Sequence, residues 1–161
     1  MINRPTDTAV DDVVPRWGLV VASPPLVFGG GPVSVNGAIC LARAVGELPR
    51  DERGASVDDT PDEPRESGFQ LLSGSLGTVD LHCSPEDVPV RLAEARVFAG
   101  YAGWSAGQLD AEIDERAWFV AEAEEADVFD NDPDGLWARV LRRQGGWLSV
   151  LARHPLDPSV N

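Results

Sequence analysis

The sequence predicts a single domain of mixed α and β structure, and three observations carry that expectation. Short apolar runs with strand character alternate with segments bearing helix-start signals. The length of 161 residues suits one domain and is sufficient to bury a core. Hydrophobic residues make up 43% of the chain, a globular composition.

Taken in order, residues 8–20 are expected to form a short helix. Val10, Val13, Val14 and Trp17 recur at helical spacing, and Pro15 disturbs its end. Leu26-Val27-Phe28 reads as a buried strand ending in the turn Gly29-Gly30-Gly31-Pro32, and residues 37–45 form a second apolar, strand-like run. Residues 46–67 hold eight acids, three arginines and three prolines, so they are expected to be a flexible, solvated acidic loop. Phe69-Gln70-Leu71-Leu72 and Val79-Asp80-Leu81 are predicted strands around the turn residues Gly74, Ser75 and Gly77. Ser84-Pro85-Glu86-Asp87 carries the signals of a helix start, with an end near Ala93. Arg96-Val97-Phe98-Ala99 is a predicted strand. Ser105 and Gln108 have capping-box spacing and open the next helix, with Leu109 and Ile113 on its apolar face. Trp118-Phe119-Val120 is a further expected strand. Asp132-Pro133 starts a last helix over 134–144, which Gly145-Gly146 stops and whose buried stripe is Leu136, Trp137, Val140 and Leu141.

Charge narrows the function classes. Thirteen arginines, no lysine and 27 acids give a net charge of −14. A polyanion is repelled by such a surface, so no nucleic acid is expected as a partner. The one basic patch is Arg139, Arg142, Arg143 and Arg153, in an acid-free stretch over 135–153. A DNA-touching regulator would have to use it. The absence of lysine removes Schiff-base and Walker-type phosphate chemistry. No apolar run reaches the ~20 residues of a membrane span, and the first residues carry no signal-peptide core. A cytoplasmic protein that does not use a membrane is expected. Cys40 and Cys83 are expected to be buried thiols.

Three constellations bear on chemistry. Gly103-Trp104-Ser105-Ala106-Gly107 matches the G-x-S-x-G nucleophile elbow, with acids and then His154 following in triad order. A serine hydrolase using Ser105 and His154 is therefore the enzyme alternative. The competing reading makes Ser105 a helix cap, its hydroxyl committed to backbone N–H groups. Asp130-Asn131-Asp132-Pro133-Asp134-Gly135 resembles half a calcium loop, but the twelfth position is Leu141 instead of a carboxylate. Capping explains it better. Cys40, His82, Cys83 and His154 lack the close pairing of a zinc site, so neither metal nor cofactor is expected. Residues 110–134 hold eleven acids and one arginine, a solvated surface that would suit a basic partner.

The run Gly100-Tyr101-Ala102-Gly103-Trp104-Ser105-Ala106-Gly107-Gln108-Leu109-Asp110-Ala111-Glu112-Ile113, with Ala117-Trp118 after it, resembles the signature of the YqgE/AlgH family. Asn3-Arg4-Pro5, Gly30-Gly31-Pro32-Val33 and the segment from Leu136-Trp137 to His154-Pro155 agree in order, so the resemblance covers nearly the whole chain. The closing segments look actinobacterial. The resemblance implies a bifurcated, barrel-like mixed sheet flanked by short helices, in a bacterial cytosolic protein without an established reaction. It implies a non-enzymatic, indirect regulator acting through an unknown protein partner or small ligand. Asp110 stands where glutamate is usual. The family's opening strands are expected before Asn3 and are missing here, which fits either a late start assignment, the favoured reading, or a genuine short form. If there is a ligand site, it is expected at Gly30, Gly31, Tyr101, Trp104, Gln108 and Glu112, with Gln108 and Glu112 one turn apart beside the Gly30-Gly31 turn.

Overall fold

In the computed structural model, which describes residues 4–46 and 68–153, the chain opens with a strand, β1 (Pro5–Ala9). The helix expected over 8–20 is only α1 (Val10–Val13), followed by a 3-10 turn at Pro15–Trp17. Pro15 has no N–H to continue the helix, and residues 5–9 pair with the next strand instead. That strand is β2 (Leu26–Gly29), and β3 spans Val33–Val45. Segment 46–67, apart from Gly46, lies outside the described residues, as does His154. β4 (Phe69–Ser73) and β5 (Leu76–Val79) form a hairpin. Gly77 falls inside β5, not in the turn: a Cβ there would sit 2.5 Å from the Phe69 ring.

The helix expected from Ser84 is a single 3-10 turn, Pro85–Asp87. Val88 precedes Pro89 and is extended, at φ −70° and ψ 130°. The chain then enters β6 (Arg91–Tyr101), much longer than the predicted core at 96–99. Helix α2 (Gln108–Asp114) follows, then α3 (Glu125–Val128), α4 (Pro133–Gln144) and α5 (Gly146–Leu151). Asp132 caps α4 by accepting from the Gly135 N–H at 3.3 Å. On α4, Leu136 and Leu141 are buried, while Trp137 and Val140 are half-buried. Residues 118–120 are not a strand, for none of the described strands pairs with them.

The strands form one mixed sheet in the order β1-β2-β6-β3-β5-β4. It is open and does not close into a barrel. β2 runs parallel to β6 (Phe28 beside Phe98), and the other neighbours are antiparallel. Strand alternation divides the core between two faces. Cys40, Ala42, Ala44, Ala95 and Val97 pack with Val10, Trp17, Val88 and Val90 on one. Phe28 and Phe98 pack with Ala22, Val128 and Phe129 on the other. Cys40 is a free thiol, and burial pushes its pKa up to about 12, so it is inert at neutral pH. Cys83, also free, is only half-buried, contrary to expectation, at the end of the hairpin. Among the described residues no helix is long and apolar enough to cross a membrane.

Candidate functional site

The site is built on the stretch after β6. Gly107, at φ +75°, breaks the chain just before α2, so the helix begins at Gln108 and not at Ser105. The Gln108 side chain still reaches back, accepting from the Ser105 N–H at 3.1 Å. This is half of the expected capping box. The Ser105 hydroxyl does not complete it: it donates to the same Gln108 Oε1 at 3.0 Å.

From Gln108 the hydrogen bonds run to Glu112, one turn along the helix. Gln108 Nε2 donates to Glu112 Oε1 at 3.0 Å. Trp104 Nε1 and Trp118 Nε1 both donate to Oε2, at 3.1 and 2.6 Å. These donors, Trp118 foremost, hold the Glu112 carboxyl below its ordinary range. The two indoles meet edge to face, centroids 5.9 Å apart at 75°. A second pair lies next along the chain, where Phe119 meets Trp147 of α5 at 5.0 Å and 81°. The intervening backbone is tied to α4: Gln144 Nε2 and Arg143 Nη2 donate to the Glu122 carbonyl, and the Glu122 N–H donates to Gln144.

Over 102–120 this stretch is exposed except at Glu112 and Ile113, which are half-buried. Helix α2 contains no buried residue. Trp104, Trp118, Phe119 and Trp147 are 39%, 49%, 53% and 60% exposed. Three of these aromatics lie between positions 104 and 119, and the fourth, Trp147, comes from α5; exposed aromatic side chains are enriched at interaction surfaces.

Of the residues named from sequence, Trp104, Ser105, Gln108 and Glu112 come together in this network. Gly30, Gly31 and Tyr101 form a different contact. A Cβ on Gly30 would lie 2.1 Å from the Gly100 carbonyl oxygen, and one on Gly31 would lie 2.3 Å from the Tyr101 carbonyl. The two backbones touch there, so the glycines serve close approach of the chain. Surface troughs of about 960 and 540 Å³ exist elsewhere, and none of their described lining residues is one of these candidates. Trp118, Phe119 and Trp147 were not read as site residues. Trp118 and Phe119 look like a strand in sequence, and nothing local brings Trp147 to them.

Two of the four arginines of the basic stretch are neutralised by ion pairs. Arg139 bonds Asp130 and Asp132, which also occupies two of the three carboxylates of the calcium-like run. Arg143 bonds Asp127 at 2.6 Å and Glu124 at 3.3 Å, and holds the Asp127 carboxyl below its usual range. Only Arg142 and Arg153 of the four stay exposed without an ion pair among the described residues. Nor do the described residues bring three His, Cys, Asp or Glu side chains into a metal-binding group.

Comparison with known proteins agrees with this architecture. A family model described as AlgH-like matches residues 1–149. A UPF0301 protein of Thermobifida fusca is 45% identical over 162 residues, spanning 100% of this chain and 77% of the relative. One from Streptomyces avermitilis is 42% identical over 161 residues, with the same coverage of 100% and 77%. A crystal structure of a Corynebacterium diphtheriae protein superposes with a TM-score of 0.78 at 28% identity, covering 95% of this chain and 73% of that one. The solution structure of the AlgH protein from Pseudomonas aeruginosa is similar in fold, with a TM-score of 0.55 at 24% identity over 97% of this chain and 76% of that one.

Proposed function

The chain belongs to the AlgH-like family, and from that membership we propose that it acts by binding and not by catalysis. It is a single-domain, cytoplasmic regulator that works indirectly, through a protein partner, and its working surface is α2 with the aromatic segment after it.

The observation that carries this reading is the state of Ser105. Its hydroxyl is spent as a donor to Gln108, and Gln108 is in turn anchored to Glu112. A nucleophile elbow holds its serine on a strained turn with a base in reach. Ser34 and Arg116 are the only described non-glycine residues with positive φ, and Ser105 is not one of them. Its described side-chain partner is an amide, which is no base. Ser105 also stands apart from the tight strand-to-helix turn of an elbow: β6 ends at Tyr101 and α2 starts at Gln108.

Treatment of the folded protein with a fluorophosphonate probe, read by intact mass, tests the reading. No adduct is expected on the wild type or on Ser105→Ala. Stoichiometric labelling that disappears in Ser105→Ala would instead establish an activated serine and the hydrolase alternative, with His154 as the next residue to replace.

A further inference from the structure

We propose that α2 and the aromatic segment behind it dock a basic protein segment that carries apolar anchors. The proposal deepens the binding reading above and rests on it.

The surface is preorganised. Trp104 and Trp118 are fixed by their bonds to Glu112, and Phe119 is braced against Trp147. Exposed aromatic surface that is already ordered loses little entropy on binding. Leu109, 38% exposed, and Val120, 74% exposed, are further accessible apolar side chains on α2 and the segment after it. The two aromatic pairs follow each other along the chain, through the adjacent residues Trp118 and Phe119.

Charge selects the partner. Asp110, Asp114, Glu115 and Glu122, on α2 and the segment after it, are exposed and form no ion pair among the described residues. Arg116 is the one basic residue between positions 110 and 134. The carboxylates attract a cationic segment, and indole faces favour arginine guanidinium groups. A second copy of the chain fits poorly, because it would bring the same carboxylates, and a net −14, against this surface.

The probe is a synthetic amphipathic helical peptide with arginines on one face and leucines on the other. Two control peptides replace its arginines by glutamate or its leucines by serine. Fluorescence anisotropy of each labelled peptide is followed against the protein at low and moderate salt. The arginine–leucine peptide is expected to bind saturably and more weakly as salt rises. Both control peptides are expected to lose binding roughly tenfold or more. Trp118→Ala/Phe119→Ala, verified as folded by its thermal transition, is expected to lose a similar factor. Leu19→Ser, at a fully exposed leucine elsewhere, is expected to bind like the wild type.

Equal binding of the arginine–serine peptide would reduce the effect to bulk charge and overturn the proposal. Equal binding of the glutamate–leucine peptide would remove the charge preference and overturn it too. So would an unchanged affinity in the double variant, or a wild-type dimer that the double variant dissociates, since the occupant would then be a second copy. Failure of the peptide with no fluorophosphonate adduct sinks only the basic partner. An adduct on Ser105 sinks the binding reading itself.

Discussion

Replacing Arg96 with methionine is expected to cost about 3–5 kcal/mol of folding stability, read from the urea midpoint by circular dichroism. Arg96 lies on β6, fully buried, on the sheet face that carries Phe28 and Phe98. Its guanidinium lies over the Phe28 ring, 4.3 Å from the centroid. Nη1 donates to the carbonyls of Val128 and Asp130, and Nη2 to those of Asp130 and Ser23. One side chain thus ties the central strand to the loop before β2 and to the end of α3. Methionine fills much of the same volume, so the loss reports three carbonyls stripped of donors more than a cavity. Burial pulls the Arg96 pKa down, with Asp130 and Glu94 opposing, and the group stays charged. Arg96→Lys is expected to recover only a minor part, because one ammonium cannot reproduce a planar fork. A midpoint unchanged in Arg96→Met would show that these bonds do not hold the α3–α4 segment to the sheet.

The second large effect is expected at Gly31→Ala, a loss of about 2–3 kcal/mol from overpacking against backbone atoms. The added Cβ would meet the Tyr101 carbonyl at 2.3 Å and the Ala102 nitrogen at 2.5 Å. These are backbone atoms, which cannot rotate away as a side chain can. Gly100, at φ +69°, approaches from the other side, with its own Cβ position 2.5 Å from the Gly31 oxygen. The same denaturation experiment separates two roles for the glycine turn. A destabilised Gly31→Ala fits a turn that packs on β6. A variant of wild-type stability would mean that the turn has free space, as a ligand-binding turn requires.

Much of this architecture was legible from local chemistry. The Asp132-Pro133 start and Gly145-Gly146 stop of α4 are backbone signals that need no tertiary context. The strands at β2, β4 and β6 were visible as apolar runs, though not to their full length, because Arg91 and Glu94 do not look like strand residues until β3 pairs with them. Ser84-Pro85 carried a helix-start signal that Pro89 overruled. The missed strand β1 is polar, Pro5-Thr6-Asp7-Thr8-Ala9, and exists because β2 offers it an edge. In the site, Gln108 and Glu112 were legible as a helical pair. Trp118 was not, since its bond to Glu112 depends on how the chain turns after α2 at Arg116, where φ is +62°. Nor could a pattern of residues reveal that the glycines at 30 and 31 face Gly100 and Tyr101.

The proposed function requires that the α2 surface serve binding without holding the fold together. The most direct measurement is the urea denaturation of Trp104→Ala/Trp118→Ala beside the wild type. Both indoles are exposed and no residue of α2 is fully buried, so the double variant is expected to lose less than about 1.5 kcal/mol, the scale of one aromatic pair. A loss of about 3 kcal/mol or more, comparable to Arg96→Met, would contradict the claim and make the tryptophan–glutamate network part of the scaffold.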